Sequence, residues 1–229
     1  MIPQPICRVF GYAKLLFLSN FCLFGDDQQN YPEIIETKKG IFEFGKILIN
    51  KEKRQFSIPA VCNQTSGLIE YALVHNNGKI HESLFRTSVS PRLIHATLLL
   101  LKQNPQSNFF RILENDKAQL SNIDLLEISV EWMHNGSRQV NDLHNMALNQ
   151  EVERKLAKSA FVFTGSKVIE GNYLAEEDGS IVAIYHDNRA TINCMDEQSN
   201  SDDVWIANSE DMPPKDLPVR IRFQLPKTD

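Results

Sequence analysis

The sequence predicts a strand-rich α+β fold: a mixed, mainly antiparallel sheet with one buried apolar helix and one polar helix. Three observations carry this. Several short runs alternate apolar and polar residues, the period of a strand with one buried face. One run, Arg92 to Lys102, is apolar almost all round, as a helix covered on most sides must be. Strands and helices do not alternate with the regular spacing of a doubly wound sheet.

Taken in order, residues 1–25 read as a signal peptide, with a retained N-terminal anchor as the alternative. Arg8 and Lys14 are the only charges before Asp26, and Leu15 to Phe24 is an apolar run of signal-core length that ends at Gly25. That run is too short to span a bilayer, which takes about 20 residues. Residues 26–40 are a loose polar lead-in, and 41–229 form a single globular domain. Ile41 to Arg54 alternates through Phe42, Phe44 and Leu48. Gln55 to Cys62 is the next strand, with Pro59 hinting at an edge or a bulge. Leu68 to His75 and Lys79 to Val89 flank Asn76-Asn77-Gly78, a hairpin signal. Ser90-Pro91 suits a helix start, and the Leu-rich helix follows. Leu125 to Met133 alternates into a turn at His134-Asn135-Gly136-Ser137. A polar helix is expected over Leu148 to Lys158, then strands at Ala160 to Thr164, Ile181 to Tyr185, Ala190 to Cys194 and Val219 to Leu225. Trp132 reads as core and Trp205 as rim.

The net charge is −5, and −7 once Arg8 and Lys14 are removed with the leader, so no basic footprint for nucleic acid stands out. Without the leader, two cysteines remain, Cys62 and Cys194. In an oxidising compartment they are a disulfide pair; alternatively they are small buried apolar side chains.

The hairpin register sets the candidate site. Pairing across Asn77-Gly78 places Ile69, Tyr71, Leu73, Ile80 and Leu84 on one face with Glu82 among them, so Glu82 is expected to be buried and hydrogen-bonded. The start of the following helix, at Ser90 to Arg92, offers it unpaired N–H groups and a positive dipole end. His81 and Ser83 point the other way, with Glu70 diagonal to Ser83, and Lys79 heads the strand. His81 and His95 with Glu70 or Glu82 would make a two-imidazole, one-carboxylate metal set, although their spacing matches no tight motif. His81-Glu82-Ser83 is no hydrolytic triad, because consecutive strand residues face opposite sides.

Several separated stretches resemble the YdjY-domain family of bacteria: Leu68-Ile-Glu70-Tyr71, Gly78 to Ser83, Pro91 with Ile94-His95-Ala96, Phe161 to Ser166, Ala175 to Gly179, Trp205 with Asn208, and Pro213-Pro214. The resemblance covers residues 40 to 226 and implies an exported protein, periplasmic or secreted, with no reaction attached. Ferredoxin-type relatives would need a Cys-x-x-Cys-x-x-Cys run, which does not occur here, so no iron–sulfur cluster or other cofactor is expected. The expectation is an exported binding or interaction module with a protein or small-molecule partner. The alternative is a metal-dependent or acid–base enzyme centred on Lys79 to Ser83 and His95.

Overall fold

Burial follows the sequence alternation closely at the C-terminal end of the domain. Val219, Ile221 and Phe223 are buried, whereas Arg220, Arg222 and Gln224 face outward. The same period places Phe56, Ile58, Ala60 and Cys62 inside, and likewise Leu126, Ile128 and Val130. These three strands are neighbours, and the Phe56 and Phe223 rings stack at 4.5 Å. The structure, a computed structural model, describes residues 31–115 and 117–227. The expected leader at 1–25 and the first residues of the lead-in lie outside the described residues.

The first half of the chain contains β1 (Ile34–Lys38), β2 (Ile41–Phe44), β3 (Ile47–Asn50), β4 (Gln55–Cys62), β5 (Tyr71–His75), β6 (Ser83–Thr87), α1 (Pro91–Leu100) and α2 (Phe109–Asn115). There follow β7 (Leu125–His134), β8 (Ser137–Asp142), β9 (Ala147–Asn149), β10 (Arg154–Lys155), β11 (Phe161–Phe163), β12 (Val168–Ile169) and β13 (Asn172–Tyr173). The last group is α3 (Leu174–Asp178), β14 (Ser180–Ala183), β15 (Ile192–Cys194), β16 (Trp205–Ala207) and β17 (Pro218–Gln224).

The fold is α+β and strand-rich, and its sheet is mixed and mainly antiparallel. It also closes on itself: the order β4-β17-β7-β11-β15-β14-β5-β6 returns to β4, an eight-stranded barrel. Only β14–β15 and β5–β6 in this ring run parallel. The flange β3-β2-β1 extends from β4, and β8 pairs β7. Pro59 therefore sits in an interior strand. On the side away from β17, β3 pairs β4 at Ser57 and β6 takes over at Val61, so Pro59 falls in the gap between them, where a missing N–H costs nothing. Helix α1 buries Ile94, His95, Ala96, Thr97 and Leu98, and its apolar residues share the main core with the barrel strands. Among the described residues no helix is long and apolar enough to cross a membrane.

Five expectations are corrected. The hairpin at residues 68–89 is absent: β5 and β6 run parallel, with Tyr71 opposite Ser83 and His75 opposite Thr87. A two-residue hairpin turn of this type needs positive φ at both centres. Asn135 and Gly136 meet that requirement, with φ of 49° and 76°, whereas Asn77 and Gly78 do not. Gly78 is needed instead for close approach, since a Cβ there would meet the carbonyl oxygens of Asp178 and Gly179 at 3.0 Å. The polar helix at 148–158 is also absent. Glu153 has φ 51°, and the segment forms the β9–β10 hairpin, in which Asn149 Oδ1 accepts the N–H groups of Glu151 and Val152 at 3.0 and 3.2 Å. The lead-in is partly ordered, because Ile34–Lys38 pairs with β2 as an exposed strand. Cys62 and Cys194 are free thiols, both buried, so the disulfide reading falls and the small-apolar reading holds. The tryptophans exchange places too: Trp205 is 1% exposed, and Trp132 only packs against the core from its margin.

Candidate functional site

The parallel return from β5 to β6 decides where the predicted site residues lie. The chain leaves β5 at His75, turns through a 3₁₀ segment at Ile80–Glu82 and re-enters beside its own starting point, so the Glu70 N–H donates to the Glu82 carbonyl at 2.9 Å. Glu70, Lys79 and Glu82 thereby converge. Lys79 Nζ lies 3.0 Å from Glu70 Oε2, 3.1 Å from Glu82 Oε1 and 5.2 Å from the centroid of the Tyr71 ring. Burial pushes the Glu70 carboxyl up and Lys79 pulls it down, with Glu82 adding to the rise; the net direction is upward. Burial works against the charge on Lys79, but hydrogen bonds to Glu70 and Glu82 outweigh it and raise its pKa.

Glu82 is therefore a partner of Lys79 on a turn, 21% exposed, and it does not reach the start of α1. Its expected surroundings dissolve with the hairpin, since Ile80 is exposed. His81 is exposed, its Nε2 3.7 Å from Glu82 Oε2. Ser83 is fully buried and donates to the Lys79 carbonyl at 2.5 Å, a structural tie across the turn.

The place expected for Glu82 is occupied by Glu176, from α3. Its Oε2 accepts the Ser90 hydroxyl at 2.6 Å and the Arg92 N–H at 2.9 Å. A carboxylate thus satisfies the N-terminus of α1, while Ser90 spends its hydroxyl on that carboxylate and makes no cap bond of its own.

His95 lies in the core, edge-on to Phe163 and Tyr173. Burial lowers its pKa to about 4, against a hydrogen bond with the Gly165 backbone that raises it, so the ring is neutral at physiological pH. Its Nδ1 lies 3.0 Å from the Tyr173 hydroxyl, which lies 3.0 Å from Thr191 Oγ1. The network continues: Thr164 Oγ1 donates to the Thr191 carbonyl at 3.3 Å and accepts Asn193 Nδ2 at 2.9 Å. Asn193 Oδ1 accepts the Asp187 N–H at 2.8 Å, and Asp187 Oδ2 accepts the Tyr71 hydroxyl at 3.0 Å. One polar chain thus runs from His95 to Tyr71, against which Lys79 rests. Tyr71, Tyr173, Thr164, Thr191 and Asn193 are all buried. Burial raises the Tyr71 and Tyr173 hydroxyls far above their ordinary range, so both remain protonated donors.

Two of the expected groups, the Glu70–Lys79–Glu82 cluster and His95, thus sit at opposite ends of one network and do not share a cleft. Among the described residues no group of three His, Cys, Asp or Glu side chains is placed to hold a metal ion, and His81 and His95 have separate surroundings. Sequence reasoning missed Glu176, Thr164, Thr191, Asn193 and Asp187. The stretches Phe161 to Ser166 and Ala175 to Gly179 already contained two of them, and a Thr-Gly-Ser corner after a buried strand was the available signal.

A concave surface lies elsewhere, on the outer face of the sheet. It is an open groove of about 480 Å³, with Ile41 and Leu48 on one side, Arg138, Arg220 and Arg222 on the other, and Glu131 between the arginines. Glu131 Oε2 accepts Arg138 Nη2 at 2.6 Å and Arg222 Nη2 at 2.8 Å. The hydrogen bond from Arg138 holds the Glu131 carboxyl below its ordinary range.

A family model described as the YdjY domain matches residues 47–224, well over half of the chain. No curated protein and no solved structure matches it.

Proposed function

Since the chain belongs to the YdjY domain family, we propose that it is an exported binding module that holds its ligand on the outer face of the sheet. The observation that carries this is the division of polar groups. The buried polar side chains from Tyr71 to His95 are spent on one another, as expected of a network that fixes a fold. The outer groove, in contrast, presents charged and apolar groups to solvent. Export is supported by the apolar run Leu15 to Phe24 behind Arg8 and Lys14.

A second reading, acid–base chemistry at Glu70, is favoured by the raised Glu70 carboxyl beside Lys79 and Glu82. It is the weaker of the two, because the cluster stands on a turn with the Lys79 side chain 50% exposed, and low-dielectric enclosure is what makes such groups effective. Fractionation and metal analysis of protein from its native compartment, with a panel of ester, peptide and glycoside substrates, separate the readings. The binding reading expects extracytoplasmic protein without stoichiometric metal or turnover. Turnover abolished by Glu70→Gln, or a stoichiometric metal abolished by His95→Asn, overturns it.

A further inference from the structure

The register of the outer face defines a short ladder of side chains. Leu48 lies opposite Ser57, Ser57 opposite Arg222, and Arg222 opposite Ser129. In the next row Pro59 lies opposite Arg220, Arg220 opposite Glu131, and Glu131 opposite Val140. Arg220 and Arg222 are therefore stacked on one face of β17, with small hydroxyl residues beside Arg222 on both sides. The guanidinium groups of both line the groove, with Ser57 among its short side chains.

The charges there are unbalanced. Lys53, Arg138, Arg220 and Arg222 line the groove against a single carboxylate, Glu131, in a chain of net charge −5. Each guanidinium carries five donors. Glu131 receives one from Arg138 and one from Arg222, both on the same oxygen. Among the described residues, the Arg220 side chain makes one hydrogen bond, a long 3.4 Å contact with Ser57 Oγ. Arg222 Nε is buried and has no acceptor among the described residues. That Nε faces away from solvent; the guanidinium donors that line the groove are what a docked carboxylate complements.

Resting on the binding-module reading, we propose that this face docks an acidic, extended segment of a partner protein, its carboxylates on Arg220, Arg222 and Arg138 and its apolar residues against Ile41 and Leu48. The groove is open along the sheet, whereas small-molecule sites enclose most of their ligand. Nucleic acid fits less well. The groove's aromatic ring, Phe56, is 1% exposed and gives bases no stacking platform.

The test uses the protein lacking residues 1–25 and a short fluorescent peptide of alternating Glu and Leu, read by anisotropy. Controls are the Lys-Leu counterpart and a single-stranded oligonucleotide. The acidic peptide alone should bind, with affinity falling as salt rises through about 0.15 M. Arg220→Gln/Arg222→Gln should weaken binding about tenfold or more at unchanged melting temperature. Glu131→Gln, which frees Arg138 and Arg222, should tighten it, the opposite of what a merely structural role would give. No binding of the acidic peptide, binding indifferent to the arginines, or tighter binding of the oligonucleotide overturns the proposal. Those failures concern the ligand class alone; turnover at Glu70 would instead remove the binding-module reading beneath it.

Discussion

Replacing Glu176 by Ala tests how the N-terminus of α1 is held. The substitution removes one carboxylate oxygen that accepts both the Ser90 hydroxyl at 2.6 Å and the Arg92 N–H at 2.9 Å. A hydrogen bond to a charged group contributes about 1.5–3 kcal/mol, and a carboxylate at a helix N-terminus about 0.3–2 kcal/mol. These describe the same contact and do not add, so Glu176→Ala should cost about 2 kcal/mol and Glu176→Gln about 1 kcal/mol. Glu82→Ala is the comparison. Its partner Lys79 has a half-exposed side chain, and such pairs contribute about 0–1 kcal/mol. Urea unfolding reads the difference as a shift in midpoint at constant m. A thermal melt should move by about 2–4 °C per kcal/mol for a domain of this size. A Ser90→Ala/Glu176→Ala cycle should show coupling of about 1 kcal/mol between the two. If Glu82→Ala costs as much as Glu176→Ala, or the cycle shows no coupling, the capping argument is wrong.

Further expectations concern pH, thiols and backbone. Burial lowers the His95 pKa to about 4, so the unfolded chain takes up a proton that the folded protein refuses. The His95 contribution is complete above the unfolded value near 6.5 and is lost as pH falls through 4, roughly 3 kcal/mol in all; His95→Asn should flatten the urea midpoint between pH 7 and 4.5, and an unchanged slope counts against a buried neutral ring. His186, also lowered by burial, adds a slope of the same sign, which survives the His95 substitution. Burial pushes the Cys62 and Cys194 thiols up to about 11; both should resist a small thiol reagent in the native protein and react after unfolding in urea without reductant, and silence after unfolding would reveal a bridge. Gly165 has φ 85°, and a Cβ there would lie 2.6 Å from Pro105 Cβ, so Gly165→Ala should cost more than about 2 kcal/mol in a urea titration; a neutral effect would mean the corner is free to relax.

What the sequence made legible was periodicity. The alternation in β7 and β17 matches the faces they bury, and the apolar girdle of α1 foretold its position in the core. These are signals in which burial itself writes the pattern. The errors arose where a residue type serves two physical purposes. Gly78 looked like a turn glycine, but it is a small residue pressed against Gly179, and no single-chain pattern distinguishes the two uses. The 148–158 segment had a helical composition, overridden by the Asn149 side chain and by pairing with β16. The candidate site failed in the same way. Placing a carboxylate at the start of α1 was sound electrostatics, yet the residue that fills the role comes from α3, whose proximity only the closed barrel reveals. Glu70 and Lys79 came together as candidates for a reason the register argument did not contain, the parallel return of the chain.

The position of β17 has a consequence for how the protein is made. This strand lies between β4 and β7 and completes the ladders on both sides. Until residues 218–224 are available, β4 and β7 have no common neighbour, and each presents a bare edge of unpaired N–H and C=O groups. The barrel therefore cannot shut from its N-terminal side while synthesis proceeds; its seam waits for a segment that leaves the ribosome more than 150 residues after β4. Pairings of such long sequence separation fold slowly, and partly made chains are prone to aggregate. The same delay makes Val219, Ile221 and Phe223 the residues whose arrival commits the molecule to its final shape.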